Sequence, residues 1–548
     1  MVTIAELVHA QVGDHRTGLM FEDRTWTHDQ VARAAAARAA LLADLLPAGA
    51  APHVGVLLDN VPEFPMWLEG IAVGGSTLVG INSTRRGAEL TRDITHADCS
   101  VVVTERAHLP LLEGLDLGLP AERILVVDDP AYEELLAPYA DAALPDLDVD
   151  AATRLLIVFT SGSTGAPKGV ICSQGRLAGA GTALTDQFGF DQDSVNYICM
   201  PMFHGNALMA NWAPAMRARG AVALRRKFSA SGFLDDVRKF DATYFTYVGR
   251  AISYLLATPE QPDDADNPLR NGFGTEAGTV DMRRFEARFG AKLTEGYGSS
   301  EGGMNVNWRP GTPDRAVGPC PPNAALLDPE TGKECPRAVF DAAGRLLNGD
   351  EAIGELVNLG RNGFEGYWRN EAANAARSRD GQYWTGDHFY QDADGYLYFA
   401  ARSDDKLRVD SENLSVATIE NILSRFDPVE TVIVYGVPDP VSGDQVMAAL
   451  QLRAGAEFDA EAFAAFLAGQ EDLGTKMAPR FVRIAERIPV TATNKVNKVG
   501  LRREGFRTAE PVWWQSERGA AYRPFGADDR TALLGVYAAH GRENALDL

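Results

Sequence analysis

The chain has 548 residues, 45% apolar and 23% charged, with 52 basic against 75 acidic side chains and a net charge of −23. That length exceeds one compact core and predicts two to four domains. The acidic balance excludes the basic footprint of a nucleic-acid partner and a polybasic attachment to anionic membrane.

The residues up to Gly18 are polar and acidic where a secretory signal needs an apolar run. Residues 29–47, alanine- and leucine-rich with spaced arginines, predict a helix. Short apolar runs at 53–60, 99–105, 123–129 and 155–159 read as buried parallel strands at the spacing of a doubly wound α/β sheet. The most apolar long stretch, Met66 to Ile81, is interrupted by Glu69 and reads as core, so no integral membrane segment is expected. Residues 141–153 read as a surface connection, 221–256 as alternating strands and helices, and Pro259 to Pro268 as an exposed loop. Glycine, aspartate and aromatic residues in short runs over 335–400 predict a small β-rich region. Beyond about residue 404 the pattern becomes helix (416–426), strand (431–436) and helix (459–468), a separate α/β unit. The five cysteines, Cys99, Cys172, Cys199, Cys320 and Cys335, are widely spaced, which fits buried thiols in a reducing cytoplasm.

The strongest chemical signal follows the strand at 155–159: Thr160, Ser161, Gly162, Ser163, Thr164, Gly165, Ala166, Pro167, Lys168 and Gly169. Small residues let backbone amides approach an anion, hydroxyls donate to it and one lysine balances its charge. The order is not that of a Walker loop, which needs Gly-Lys-Ser/Thr. Lysine occurs only nine times in the chain, so a lysine inside such a motif carries weight. Four further segments stand out: Glu295 to Gly302, containing Tyr297, Gly298, Ser300 and Glu301; Trp384 to Asp387, followed by Gly395 to Leu397; Arg402 to Asp405; and Pro489 to Lys495. Residues 272–277 match a dinucleotide fingerprint in form, but the preceding segment from Asn267 is no buried strand, and that reading fails. No His/Cys/Asp/Glu cluster shows metal-ligand spacing.

Together these segments resemble the motifs of the adenylate-forming superfamily of acyl-CoA synthetases, carrier-loading adenylation domains and luciferases. The likeness runs over roughly residues 20–525. It is nearest to the fatty-acid-transport-protein and very-long-chain acyl-CoA synthetase branch, through segments 288–298, 395–399, 412–415, 501–506 and 522–525. The resemblance implies an α/β fold in which doubly wound sheets and a β-rich subdomain (1–403) bind ATP and the acid, while a small mobile α+β domain (404–548) turns about a hinge at Asp404. It also implies an AMP-forming acid–CoA ligase: carboxylate and ATP give an acyl-adenylate, then CoA displaces AMP.

Residue by residue, the resemblance gives Thr160, Ser161, Gly162, Ser163, Thr164, Gly165 and Lys168 to the triphosphate. Gly274, Thr275 and Glu276 would line the adenine and acyl sites. Tyr297 and Gly298 would meet adenine, Ser300 the α-phosphate, and Glu301 would hold Mg²⁺ through ATP. Asp387 and Arg402 would take the ribose. Lys495 would bridge the acid carboxylate and the α-phosphate, with Lys498 read as a surface residue. His204, Asn206, Trp212, Tyr247 and Val248 would border the acyl pocket, with His204 gating it. The chain departs from the pattern at Asn494 and Ala401, and at Asp410, Ser411 and Glu412, where glycine would let the CoA arm pass. Bulk and negative charge there are expected to hinder the thioester step.

The implied partners are the carboxylic acid, ATP, Mg²⁺ and CoA, and a homodimer is compatible with the sequence. Four other readings stay open: a protein taking its adenylate from a partner enzyme, one loading a carrier protein, a luciferase-like oxidase, and a non-catalytic nucleotide or acyl binding module.

Overall fold

The structure is a computed structural model that describes residues 2–546 apart from 47–48, 147, 161–167, 276, 278, 314–315, 330, 341–347, 403–405, 411, 472 and 489–497. Strands hidden on both faces need near-continuous Val, Ile and Leu, and the runs singled out above supply them. Ile124–Val126, Val101–Thr104, His53–Leu57, Thr77–Gly80 and Arg154–Thr160 lie side by side in that order, all parallel. Lys168–Ser173 closes the edge, antiparallel to Arg154–Thr160.

A second sheet has eight strands: Asn305–Asn307, Lys292–Gly298, Asn271–Thr275, Tyr244–Val248, Val195–Ile198, Ala221–Leu224, Thr17–Phe21 and Arg24–Thr27. Its inner pairs are parallel and its two outer pairs antiparallel. Helices join both sheets into one apolar core. The β-rich unit is an antiparallel sheet of Ala324–Leu327, Gly354–Asn358, Gln382–Gln391, Tyr396–Arg402 and Gly318–Pro319. It begins earlier than the 335–400 composition implied, because its first strands are short.

The C-terminal unit follows the expected alternation of helix Val416–Leu423, strand Val429–Pro438 and helix Ala460–Ala468. Its five-stranded sheet is antiparallel except where Asp444–Leu452 pairs with Phe481–Ile484. A last helix, Ala527–Ala539, seats Tyr537 in the apolar core of this unit. Just beyond it, His540 Nδ1 lies 3.0 Å from Asp281 Oδ2, on the helix Thr279–Phe289 of the large region. The boundary expected at Asp404 falls outside the described residues.

The stretch Met66 to Ile81 divides between helix Glu63–Val73 and strand Thr77–Gly80, both buried as expected. Among the described residues no helix is long and apolar enough to cross a membrane. Helix Glu63–Val73 packs on His28–Leu45, which the Thr27–Gln30 capping box starts. The approach is close: a Cβ on Gly70 would lie 2.7 Å from the Ala35 carbonyl oxygen. The thiols of Cys172 and Cys199 are buried and pushed up to about 12 by that burial.

Glu69 is 2% exposed, with Gln11 Nε2 donating to it at 3.3 Å. Burial raises its pKa from 4.5 to about 8. A folded carboxyl that keeps its proton while the unfolded chain has released its own loses stability as pH rises between those two values. Glu69→Gln should therefore gain about 3 kcal/mol over the wild type between pH 5 and pH 8. Urea unfolding at the two pH values measures this; an equal offset at both would show that Glu69 is not the titrating group.

Candidate active site

Antiparallel pairing sets Thr160 opposite Lys168, the two described residues that flank 161–167. Ser161, Gly162, Ser163, Thr164 and Gly165 lie outside the described residues. Lys168 is 9% exposed, rare for a lysine, and its Nζ stands 5.4 Å over the Tyr367 ring. Tyr367 is fixed from the backbone. Its segment runs along the free edge of strand Lys168–Ser173, with Trp368 N donating to the Gly169 carbonyl at 2.7 Å and Ile171 N to that of Gly366 at 3.0 Å.

The Tyr367 hydroxyl donates to Glu301 Oε1 at 2.9 Å. Burial and the Glu301 charge both raise the phenol, so it stays a neutral donor. Arg377 Nε lies 3.4 Å from the same hydroxyl, and Nη1 donates to the Trp384 carbonyl at 3.3 Å. Burial opposes the Arg377 charge, yet Tyr367 and Glu301 hold its pKa above the usual arginine value. Glu301 itself is 6% exposed, in the turn after strand Lys292–Gly298. Arg176 clamps that turn, donating to the carbonyls of Ser300 and Ile171. Gly302, at φ +64°, is required here because a Cβ would sit 2.4 Å from Arg176 Nη2.

Beside this array, the Tyr297 hydroxyl donates to Asp387 Oδ2 at 2.7 Å. Burial first, and then Asp387, raise this phenol too. Asp387 faces Arg402 across the strand pair; the Arg402 side chain is not among those described. Thr385 Oγ1 donates to the Leu356 carbonyl at 2.8 Å, and Gly386 N to Glu355 Oε1 at 2.6 Å. These bonds fix the turn that presents Asp387. Gly386 has φ +71°, and a Cβ on it would fall 2.0 Å from Arg377 Nη1.

On the acid side, Gly274 and Thr275 end a strand paired with Tyr244–Val248, and a Cβ on Gly274 would lie 2.4 Å from the Tyr247 carbonyl. Glu276 is outside the described residues. Asn206 Nδ2 is 3.4 Å from that same carbonyl, while its buried Oδ1 has no hydrogen-bond partner among the described residues. A Cβ on Gly205 would be 3.0 Å from Ser300 Oγ, so the turn of His204 to Asn206 shares a wall with Ser300. His204 is half-buried, its ring centroid 4.4 Å from that of Phe203. Trp212 and Tyr247 are packed into the core, with the Tyr247 hydroxyl 3.2 Å from the Thr294 carbonyl, and Val248 is half-buried at its strand's end.

A cavity of about 500 Å³ opens near the C-terminal unit; its lining includes Asp59, Arg86, His108, Arg226, Lys227 and, from that unit, Thr475. Asp59 and His108 of its lining, together with Glu105, place ligand atoms within 4.8 Å of one another. The sequence spacing gave no such cluster, because the fold brings Asp59 across to residues 105 and 108. Arg226 pairs with Glu105, and Lys227 with Asp59 at 3.2 Å, so cations already balance these carboxylates.

Asp410 corrects an expectation. The negative charge expected there is offset, since Arg518 Nη1 pairs with the Asp410 Oδ2 at 2.7 Å. Ser411, Asp404 and Lys495 lie outside the described residues, as does the Glu412 side chain. Sequence reasoning missed Tyr367, Arg377 and Arg176, which stand in no phosphate or carboxylate motif. Their nearest signals are the proximity of Arg377 to Trp384–Asp387 and of Tyr367 to the aromatic pair it forms with Trp368.

Gly386→Ala imposes φ +71° on an L-residue and displaces Arg377 from Tyr367. It should cost about 1–3 kcal/mol of stability and raise KM for ATP about ten-fold or more. Steady-state kinetics with thermal unfolding check this; a destabilised variant with unchanged KM would uncouple Arg377 from the nucleotide site.

Residues 8–368 match the AMP-binding enzyme family, and residues 418–495 its C-terminal domain. The chain is 50% identical over 548 residues to a steroid-22-oyl-CoA synthetase of Rhodococcus jostii, covering 99% of each chain. It is 45% identical over 507 residues to the medium/long-chain-fatty-acid–CoA ligase FadD17 of Mycobacterium marinum, covering 92% of this chain and 96% of that one. The solved structure of an o-succinylbenzoate CoA synthetase from Bacillus subtilis shares the fold, with a TM-score of 0.75 at 20% identity over 93% of this chain and 99% of that one.

Proposed function

The chain belongs to the AMP-binding enzyme family and is an AMP-forming acid–CoA ligase; from that premise, we propose that it transfers a steroid-22-oyl group to CoA. The acid class is supported by the 50% identity over essentially the whole of both chains. Medium- and long-chain fatty acids are the second reading, supported by the 45% identical relative.

The observation that carries the chemistry is the dry array of Lys168, Tyr367, Glu301 and Arg377 beside Tyr297 and Asp387. In this reading Lys168, Thr160 and the loop 161–165 hold the triphosphate. Asp387 and Arg402 hold the ribose, Tyr297 packs at the adenine, and Ser300 meets the α-phosphate. Glu301 is an oxygen donor of the kind a hard cation takes, and Mg²⁺ entering with ATP would offset charge on the departing pyrophosphate. His204, Asn206 and Gly274 border the acid beside Ser300. Lys495 brings a positive charge between the acid carboxylate and the α-phosphate, an effect that a water-poor site makes large. For the second step, residues 404–548 turn about Asp404, and Arg86, Arg226 and Lys227 of the cavity offer positive charge to the phosphates of CoA. The work is positioning and charge neutralisation, which needs no covalent enzyme intermediate.

The test is a panel of steroid C22 acids and medium- and long-chain fatty acids with ATP, Mg²⁺ and CoA. AMP should appear in step with thioester, and the steroid acids should lead in kcat/KM by about ten-fold or more. The reverse ranking would favour the fatty-acid reading; ADP as product would overturn the adenylate chemistry. Lys495→Ala should slow adenylation by about 10²–10³-fold or more, while thioester formation from supplied acyl-adenylate falls far less. Equal losses in both assays would make Lys495 structural.

A further inference from the structure

Strands Lys406–Val409 and Glu412–Ser415 pair with Val409 opposite Glu412, and Asp410 turns the chain directly after Val409. Such a tight turn needs positive φ, and Asp410 has φ +45°. Asparagine and aspartate tolerate that region best after glycine, but still at a cost. Two residues from distant parts of the C-terminal unit hold the tip. Arg518 Nη1 pairs with Asp410 Oδ2 at 2.7 Å, and Lys476 Nζ donates to the Asp410 carbonyl at 3.1 Å.

Both anchors are fixed in turn. Lys476 lies in the 474–477 turn, where Met477 N donates to the Gly474 carbonyl at 2.9 Å. Its neighbour Thr475 lines the 500 Å³ cavity. Arg518 lies in a turn closed by Ala520 N donating to the Glu517 carbonyl at 3.0 Å. That turn is tied back to Arg480, whose carbonyl accepts from Gln515 N at 3.0 Å. Arg518 also lies beyond the part of the chain that matches the family's C-terminal domain. A continuous chain of contacts therefore runs from the cavity wall through Lys476 to Asp410 and on to Arg518.

We infer that Arg518 and Lys476 are positioning residues for thioester formation: they clasp Asp410 so that the hairpin tip keeps its left-handed turn and shows no net negative charge to CoA. This rests on the ligase reading above, in which CoA occupies the cavity that Thr475 borders. Aspartate at the tip has two drawbacks, backbone strain and a charge that repels an anionic donor. Arg518 counters both, since it neutralises the carboxylate and fixes the side chain that accompanies the strained φ. Glycine would have neither drawback, and that difference provides the test.

The full-length protein is assayed for the two half-reactions separately: ATP–pyrophosphate exchange with the acid, and single-turnover conversion of supplied acyl-adenylate to thioester by CoA. Arg518→Ala should slow the second step about ten-fold or more while exchange stays within about two-fold. Arg518→Lys, which keeps the charge, should lose less. Adding Asp410→Gly to Arg518→Ala should restore at least half of the lost rate, because the double variant has neither the strain nor the charge. Equal loss in both half-reactions, or a double variant as slow as Arg518→Ala alone, would overturn the inference while leaving the ligase reading intact. Wild-type protein that makes no thioester from any supplied adenylate would refute both.

Discussion

A buried carboxylate must be paired or it will not stay charged, and the array around Glu301 is built on that requirement. Tyr367 donates to it, Arg377 stands behind the same hydroxyl, and Lys168 lies over the same ring. These residues come from the edge strand of one sheet, the turn after a strand of the other, and a connection within the β-rich unit. The array exists only once all three pieces have docked. Its members have little freedom to relax when the site's charge changes, which is what preorganised electrostatic stabilisation needs.

Gly386 shows how tightly the pieces are joined. Its left-handed backbone turns Asp387 toward Tyr297, and its missing side chain leaves room for Arg377. One position thus serves Asp387 and the Glu301 array together. An acidic protein of net charge −23 still gathers positive charge where phosphates would lie: Lys168 at the start of the edge strand, and Arg86, Arg226 and Lys227 at the cavity. Partnered carboxylates hold Arg226 and Lys227 in place.

Much of this was legible in the sequence because it is local. Buried strands announce themselves as apolar runs, and the small-residue loop with its single lysine stands out directly after the strand at 155–159. Tyr297 with Asp387, and Gly274 with its close backbone neighbour, sit in motifs short enough to read along the chain. Tyr367 and Arg377 could not be read this way, since an isolated tyrosine and arginine acquire meaning only through a carboxylate more than sixty residues away. Asp59, Glu105 and His108 escaped for the same reason. Asp410 was seen as bulk and charge, and the neutralising Arg518, more than a hundred positions on, was invisible. Composition located the β-rich unit but misjudged its start, because two-residue strands leave no periodicity.

In the proposed reaction one polypeptide makes and consumes its own acyl-adenylate. The direct measurement is a chemical-quench time course at excess enzyme: acid and Mg-ATP first, CoA afterwards, with every nucleotide and acyl species followed. Enzyme-bound acyl-adenylate should accumulate with an equivalent of pyrophosphate. On addition of CoA it should vanish at the rate at which AMP and thioester appear. Adenylate that persists after CoA is added, or thioester that forms with ADP and phosphate, would contradict that reaction.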